Sequence, residues 1–343
     1  MSSRPTIEDV ARAAGVSSAT VDRVLNGRAR VRAETARKVS DAAEAVGYHA
    51  ATAIRARALS GLQECHLGVV LQKERHAFYQ EFAARIHEAA RQDPQRNWRV
   101  TMRFSPGQSP ADFAEAIAAM AGKVQAVAAT GIDHHEVSAA VTLLRERGIP
   151  VFSLLSDFAA GLREAYLGTN NLKTGRTAGW LMHRIMRQHG RLAVFIGGHR
   201  FHGHDLRETG FRSYFREYAP EIGFLDTMIN LETRQLTYET TLEIAARHPD
   251  LAGIYCAGGG MEGAIAAIRE LGLAGRVALI VHELTPESRQ GLLQGVVSVA
   301  LATPLQPLAG ELLAAVAHVL EHGMAENPGQ RFLAPLVVTP ESL

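Results

Sequence analysis

Residues 4–49 carry three short apolar stretches at helical spacing with glycines between them, and this pattern constrains the fold most. Thr6 is a good N-cap for the first helix, and Gly15 and Gly27 separate that helix from the next two. Two short helices joined by a tight glycine turn and braced by a third form a helix-turn-helix. The start of the chain therefore predicts a module that reads DNA.

The second helix, capped by Ser17 or Ser18, would lie in the major groove with its N-terminal side chains at base edges. Arg23 can hold a guanine through two hydrogen bonds, a contact that discriminates by roughly 1–3 kcal/mol. Smaller polar side chains fix the register through phosphates without reading the sequence. We predict base contacts from Ser18, Ala19 and Arg23. We predict further DNA contacts from Thr6, Ser17, Thr20, Asn26 and Arg30.

Length and charge agree with a small head in front of a larger body. The chain has 343 residues, and its first 60 hold ten Arg and Lys against six Asp and Glu, whereas the remainder is net negative. No window is long and apolar enough for a membrane span, and the first residues lack a signal-peptide core. We expect a cytoplasmic protein with no membrane partner. Cys65 and Cys256 are far apart and predict packed thiols.

From Leu67 onwards apolar runs alternate with amphipathic stretches, which is typical of βαβ units and parallel sheets. A change of character near residue 170 and again near 303 indicates two sheets, with a ligand crevice at the carboxyl ends of their strands. The predicted strands are 67–71, 99–104, 124–129, 150–155, 192–196, 222–229, 252–256, 277–281 and 296–301.

The segment TIEDVARAAGVSSATVDRVLNG, with VRAETARKV after it, resembles the DNA-binding head of the LacI/GalR family of bacterial repressors. The stretch 56–59, Ala-Arg-Ala-Leu, is similar to the family's hinge helix, which implies that Leu59 is an apolar wedge in the minor groove. The alternative is a flexible linker, with Leu59 packed on the body.

The body resembles the type I periplasmic sugar-binding proteins over about residues 67–338, on motifs such as HAFY at 76–79 and RETGF at 207–211. The resemblance implies an all-α helix-turn-helix head (three helices plus a hinge helix) followed by an α/β two-lobed domain with two parallel sheets. We predict a head at 1–49, a hinge at 50–65 and an effector domain at 66–343. Its N-lobe would contain 66–169 and 304–330, and its C-lobe 170–303 and 331–343.

The same resemblance implies an effector site in the cleft between the lobes. Phe78 and Tyr79 would lie against an apolar ring face, and Arg207 would donate to hydroxyl or carboxylate oxygens. Asp157 and Glu283 would accept from ligand hydroxyls. The predicted effector-binding residues are His76, Phe78, Tyr79, Asp157, Asn170, Arg207, Gly260, Met261 and Glu283.

Two other motifs support rival hypotheses. Gly258–Gly263 fits GxGxxG after an apolar strand, with Glu283 twenty residues beyond, which would suit a nicotinamide dinucleotide in an enzyme or redox sensor. The histidines of HxxHxH at 199–204 are metal-ligand types without a clear fourth ligand. We favour neither, and we predict no cofactor, no metal site and no catalytic residue.

The sequence therefore predicts a sequence-specific transcription regulator that is a repressor and not an enzyme. Its partners would be a pseudo-palindromic double-stranded DNA operator, a carbohydrate-like small molecule and a second copy of the chain. A third hypothesis is a binding module that has lost its DNA function, in which case replacing Arg23 would change nothing on DNA.

Overall fold

The computed structural model of this protein describes residues 4–27 and 31–343. Arg30, one of the predicted DNA contacts, lies outside the described residues. The chain forms two compact units, of which the first comprises residues up to Cys65 together with Ala90–Arg99. The second comprises His66–Ala89 and Val100–Leu343. The predicted domain boundaries stay a prediction.

Four short helices make up most of the first unit. They are α1 (Ile7–Ala14), α2 (Ser18–Asn26), α3 (Ala33–Ala45) and α4 (Ala51–Ala58). The predicted cap of α1 is present, because Thr6 Oγ1 accepts from the Asp9 N–H at 3.3 Å and the Asp9 carboxylate accepts from the Thr6 N–H at 2.9 Å. Gly15 ends α1 and Gly27 ends α2, both in the left-handed conformation that glycine adopts without strain.

The core of this unit is made of small and β-branched side chains from all four helices. Val10, Val21 and Val39 are fully buried, as the helical spacing predicts. Ile54 of α4 is also fully buried, and Arg55 beside it pairs with Glu44 of α3 at 2.7 Å. Helix α4 is therefore part of the packed head rather than an irregular linker.

The rest of the chain alternates strands and helices. The strands are β1 (Gln63–Leu71), β2 (Arg96–Phe104), β3 (Ala126–Ala129), β4 (Val151–Leu154), β5 (Ala165–Thr169), β6 (Arg191–Ile196), β7 (Met228–Ile229), β8 (Leu251–Cys256), β9 (Ala278–His282), β10 (Val299–Ala302), β11 (Gly329–Leu333) and β12 (Leu336–Val338). The helices are α5 (Ala77–Gln92), α6 (Pro110–Ala118), α7 (His135–Glu146), α8 (Asn171–Ile185), α9 (His202–Tyr218), α10 (Arg234–Arg247), α11 (Met261–Glu270), α12 (Pro286–Leu293) and α13 (Leu305–His322), with a final 3₁₀ turn at Pro340–Ser342.

The strands form two six-stranded sheets, which define the two lobes. The N-lobe sheet has the order β11-β5-β4-β3-β1-β2, and the C-lobe sheet has the order β12-β10-β9-β8-β6-β7. Adjacent strands from β11 through β1 in the N-lobe order and from β10 through β7 in the C-lobe order are parallel, and β12 runs antiparallel to β10. The chain passes between the sheets after β5, after β10 and between β11 and β12. The predicted fold class is confirmed.

Helices cover the sheet faces, so the central strands are apolar throughout. Every residue of β3, β8 and β9 is buried. In the N-lobe, Phe113 and Ile117 of α6 and Val141 of α7 pack in the same cluster as the strand residues. Of the helices described, none has the length and apolar character needed to cross a membrane.

Three of the observed strands were not predicted, and the strand predicted at 222–229 is much shorter in the structure. The predicted strand at 222–229 is reduced to the two residues of β7, with one isolated bridge between Phe224 and Leu192. β5, β11 and β12 escaped prediction. β11 and β12 are edge strands whose side chains are mostly exposed or half-buried, so they lack a continuous apolar run.

Candidate functional site

One face of α2 carries the predicted DNA contacts. Ser18, Ala19 and Arg23 are all exposed, so their side chains are available to base edges. Two of the proposed phosphate contacts are tied down locally: Ser17 Oγ caps α2 by accepting from the Thr20 N–H at 3.2 Å, and Asn26 donates to Asp22 at 2.6 Å. This arrangement suits a helix in which small polar groups fix its position on the DNA backbone and the exposed arginine contacts the bases.

Leu59 follows the last residue of α4 and is half-buried, whereas Ala58 beside it belongs to the head core. Part of the Leu59 side chain therefore packs against protein, and part of it is accessible to solvent. Its role as a minor-groove wedge stays a prediction, as do the roles of the other predicted DNA contacts.

In the second unit, a cavity lies between the two lobes at the carboxyl ends of their strands. About 720 Å³ of space unoccupied by protein atoms, part of it open to solvent, lies among its lining residues. Six of the nine predicted effector residues line this cavity. They are His76, Phe78, Tyr79, Arg207, Met261 and Glu283.

The other three predicted residues, Asp157, Asn170 and Gly260, lie outside the cavity lining. Asp157 is a correction with a clear cause, because Arg163 donates to both of its oxygens at 2.7 Å and Ser153 and Gln330 donate as well. The buried Asp157 carboxylate therefore connects these three side chains within the N-lobe and stabilises it.

Asn170 and Gly260 serve helix ends instead of a ligand. The Asn170 side chain caps α8 by accepting from the Lys173 N–H at 3.0 Å. Gly260 begins α11 with φ at 86°, and a side chain there would collide with Thr237 and Asn230. Both predictions followed the resemblance and missed this local backbone chemistry.

Several turns of the cavity wall hold non-glycine residues in the left-handed region. Among the described residues six have this conformation, and four of them line the cavity: Lys73, Leu155, Glu232 and Glu283, with φ between 49° and 71°. Such residues cost of order 1–3 kcal/mol each and persist only where the surroundings hold them. Three of the four follow closely after β1, β4 or β9, so the strand ends are bent to aim side chains into the cleft.

Arg207 is buried and is held by neutral groups. Its Nε donates to Asn171 Oδ1 at 2.7 Å and its Nη1 donates to the Ala257 carbonyl at 2.9 Å. No carboxylate is within ion-pair distance of Arg207 in the part of the chain that the structure describes. The guanidinium is thus oriented by neighbours on one side and lines the cavity.

Glu283 and His282 occupy the end of β9. Both Glu283 oxygens accept from Thr303, at 2.8 Å from its N–H and 2.7 Å from its hydroxyl. Burial raises the pKa of the Glu283 carboxyl, although the nearby Arg207 charge opposes this. Burial also keeps the pKa of His282 well below its usual range, so its ring is neutral and shares a hydrogen bond of 2.7 Å with the Tyr255 hydroxyl.

Sequence reasoning missed Glu232, whose side chain and backbone both contact the N-lobe. Its carboxylate is 2.9 Å from Lys73 Nζ and accepts from Gln108 at 2.8 Å and from the Gly259 N–H at 3.2 Å. Burial opposes ionisation, but the charges of Lys73 and His204 outweigh it and lower the pKa of Glu232 to about 2. Burial lowers the pKa of His204 to about 4, so Lys73 is the effective counter-charge.

Other lining residues were also missed, and most of them come immediately after strands. They are Gln72, Lys73, Thr130, Gly131, Leu154, Leu155, Ser156, Phe201, His204, Gly258, Gly259 and Glu262. The rule that ligands bind at the carboxyl ends of parallel strands would have found those after β1, β3, β4 and β8. Glu232 had no such signal, because it lies in an irregular loop.

The glycines of Gly258–Gly263 serve close packing. A side chain at Gly258 would overlap the His204 ring, and one at Gly263 would overlap the backbone of α10. The Gly259 N–H, which a phosphate would need, already donates to Glu232. Two histidines of the HxxHxH motif have different partners. His199 pairs with Asp205 at 3.1 Å, whereas His204 is buried beside Glu232.

Comparison with known families divides the chain in the same way. Residues 6–50 match the family described as "Bacterial regulatory proteins, lacI family", and residues 67–323 match "Periplasmic binding protein domain". The chain is similar to the HTH-type transcriptional regulator GntR of Pseudomonas aeruginosa, with 29% identity over 74% of this chain and 71% of that protein. It is also similar to a sucrose operon repressor of Pediococcus pentosaceus, with 24% identity over 82% and 80% of the two chains.

Solved structures share the fold of the body. An ABC transporter periplasmic solute-binding protein from Actinobacillus succinogenes, with bound D-allose, matches with a TM-score of 0.72 and 19% identity. The match covers 81% of this chain and 98% of that one. At this identity the likeness shows the two-lobed fold alone.

Proposed function

Since this chain belongs to the lacI family of bacterial regulatory proteins and regulates transcription by binding specific DNA, we propose that a neutral, carbohydrate-like compound in its cleft controls it. We propose further that it is a repressor, that it acts as a homodimer on a pseudo-palindromic operator in the cytoplasm, and that it catalyses no reaction. The exposed face of α2 and the cavity between the lobes support separate sites for DNA and for the effector.

The charge balance of the cavity wall carries the proposal of a neutral effector. Lys73 pairs with Glu232, and His76 lies 3.3 Å from Glu262. Among the described residues neither Arg207 nor Glu283 has an ion-pair partner, yet they influence each other electrostatically. A bound carboxylate or phosphate would add negative charge to a wall that already contains three glutamates, and uncompensated buried charge is costly. A polyol instead donates to Glu283 and accepts from Arg207 with no net charge.

The shape and chemistry of the wall support a sugar-like ring. Phe78 and Tyr79 pack edge to face, with ring centroids 5.1 Å apart, and both line the cavity. An aromatic face can cover the apolar side of a sugar ring while the polar groups bind its hydroxyls. The names of the sucrose operon repressor and of the allose-bound protein point to the same ligand class.

On DNA, each head of the dimer would occupy one half-site. Ser18, Ala19 and Arg23 would contact base edges, while Thr6, Ser17, Thr20, Asn26 and Arg30 would contact the backbone. The net positive charge of the first 60 residues supports phosphate binding at this end of the chain. Leu59 would enter the minor groove once α4 reaches the operator.

The effector is tested by thermal unfolding of the full-length protein with neutral sugars (D-allose, D-glucose, sucrose), gluconate, glucose 6-phosphate and NAD⁺. A ligand that binds only the native state stabilises it by about 2.7 kcal/mol at 100-fold its Kd. We expect a rise in Tm with a neutral sugar, and no rise with the same sugar in Arg207→Lys. A rise with only gluconate or glucose 6-phosphate contradicts the neutral class, and a rise with only NAD⁺ favours the redox-sensor hypothesis.

A further inference from the structure

The carboxylate of Glu232 joins the two lobes. It lies in the loop between β7 and α10 of the C-lobe, and its side chain is only 6% exposed. The N-lobe supplies two donors, Lys73 at 2.9 Å and Gln108 at 2.8 Å, and its own lobe supplies the Gly259 N–H. Lys73 also donates to the Glu232 carbonyl oxygen at 2.9 Å, so both backbone and side chain of Glu232 are held from the other lobe.

The backbone on both sides of this contact is strained. Leu231 and Glu232 have φ of 50° and 51°, and Lys73 has φ of 49°. The Leu231 side chain is 57% exposed, so its own packing does not explain the conformation. Asn230 supports the turn from one side, since its Oδ1 accepts from the Glu232 N–H at 2.9 Å and its Nδ2 donates to the Gly259 carbonyl at 2.8 Å. The cross-lobe contacts of Glu232 support it from the other.

A second connection between the lobes has a different chemistry. The C-lobe residue Phe201 is buried in the N-lobe core cluster, the Asp133 N–H donates to the Arg200 carbonyl at 3.0 Å, and the Gly203 N–H donates to Ser156 at 3.0 Å. This connection is apolar and made largely of backbone groups, and no ion pair contributes to it among the residues that the structure describes. The Glu232 contact is charged, lines the cavity and depends on a strained loop.

We propose that Glu232 is a latch, which holds the lobes together through Lys73 and Gln108. The contacts around Phe201 persist when the latch breaks. The latch therefore determines how far the lobes separate at the cleft. Because the strained turn is released when the latch breaks, opening recovers part of the energy lost with the ion pair. An effector shifts the equilibrium between the latched and the open cleft only by its differential affinity for the two states. The latch consists of residues of this chain alone, so the inference does not depend on the proposed effector.

The latch is tested by measuring the distance between the lobes in full-length protein without ligand. Spin labels on Arg75→Cys in the N-lobe and Arg234→Cys in the C-lobe report this distance, because both side chains are exposed. The native Cys65 and Cys256 are fully buried and are not expected to react. We expect one short distance by pulsed electron paramagnetic resonance when the latch is intact.

Glu232→Gln removes the charge and keeps the shape, and Lys73→Gln removes its partner. Each variant should raise the population at longer distance at least about tenfold, and the double variant should add little because the two residues form one interaction. Glu217→Gln is the matched control, since it breaks an exposed ion pair with Arg176 inside the C-lobe and should leave the distance unchanged. Circular dichroism checks that each variant is folded. Distances identical to the native one in both latch variants would overturn the proposal, as would an equal change in the control.

Discussion

The helix-turn-helix head and the cleft place their functional side chains in opposite environments. In the head, Ser18 and Arg23 project from a single helix into solvent, and the core beneath them consists of other residues. In the cleft, Arg207 is 6% exposed and Glu283 is hydrogen-bonded to Thr303, so the groups proposed to bind a ligand also take part in the internal packing of the lobes. A substitution in the head should therefore change binding alone, whereas one in the cleft should change stability as well.

The largest effect is expected at Arg207. Arg207→Ala removes the donor of the Ala257 carbonyl and the shorter of the two hydrogen bonds to Asn171 Oδ1, so the free energy of unfolding should fall by roughly 2–4 kcal/mol. The response to any effector should be lost in the same variant. Urea unfolding and ligand-dependent Tm measure the two losses separately.

Arg176→Ala is the control, because its pair with Glu217 is exposed to solvent and should contribute little to stability. If Arg207→Ala is as stable as this control and still responds to effector, Arg207 supports neither the fold nor the ligand. The proposed contrast between cleft and head would then be wrong.

A smaller effect is expected at Gly258. Gly258→Ala would force a methyl group against the His204 ring, so we expect a loss of roughly 1–3 kcal/mol in unfolding free energy. Gly310→Ala provides the opposite case, because Gly310 is in the middle of α13 with open space around it. That change should stabilise the protein by about 1 kcal/mol. Equal changes of the same sign would mean that Gly258 is not packed as described.

In the head we expect a loss on DNA without a loss of stability. Arg23→Ala should reduce discrimination between an operator selected by the native protein and a scrambled site by roughly 1–3 kcal/mol. Its unfolding free energy should stay within about 0.5 kcal/mol of the native value, because the side chain is exposed. Asn26→Ala should instead weaken binding to both DNAs equally, as a phosphate contact does. Fluorescence anisotropy at several salt concentrations measures both, and identical behaviour of the two variants would refute the assigned roles.

The same contrast explains what the sequence could predict. Local rules are enough for the head, since Thr6 and Asp9 cap α1 three residues apart and the apolar spacing defines the core. The alternation of strands and helices likewise predicts the two sheets. The resemblance assigned Asp157 to the ligand without accounting for nearby Arg163, which donates to both of its oxygens, or for Gln330, which reaches it from β11, a strand with no apolar signature. Glu232 was missed because its partners Lys73 and Gln108 belong to the other lobe, and no spacing in one sequence encodes such a meeting.

The last two strands have a consequence for the order in which the protein is built. β11 forms the edge of the N-lobe sheet beside β5, and β12 forms the edge of the C-lobe sheet beside β10. Neither sheet is complete until Gly329–Val338 has left the ribosome, whereas the head core needs only residues up to Ala58. During synthesis the DNA-reading head can therefore be finished while both lobes still present open strand edges, which are the surfaces most prone to unwanted pairing. A chain cut short before Gly329 would carry this exposure in both lobes at once.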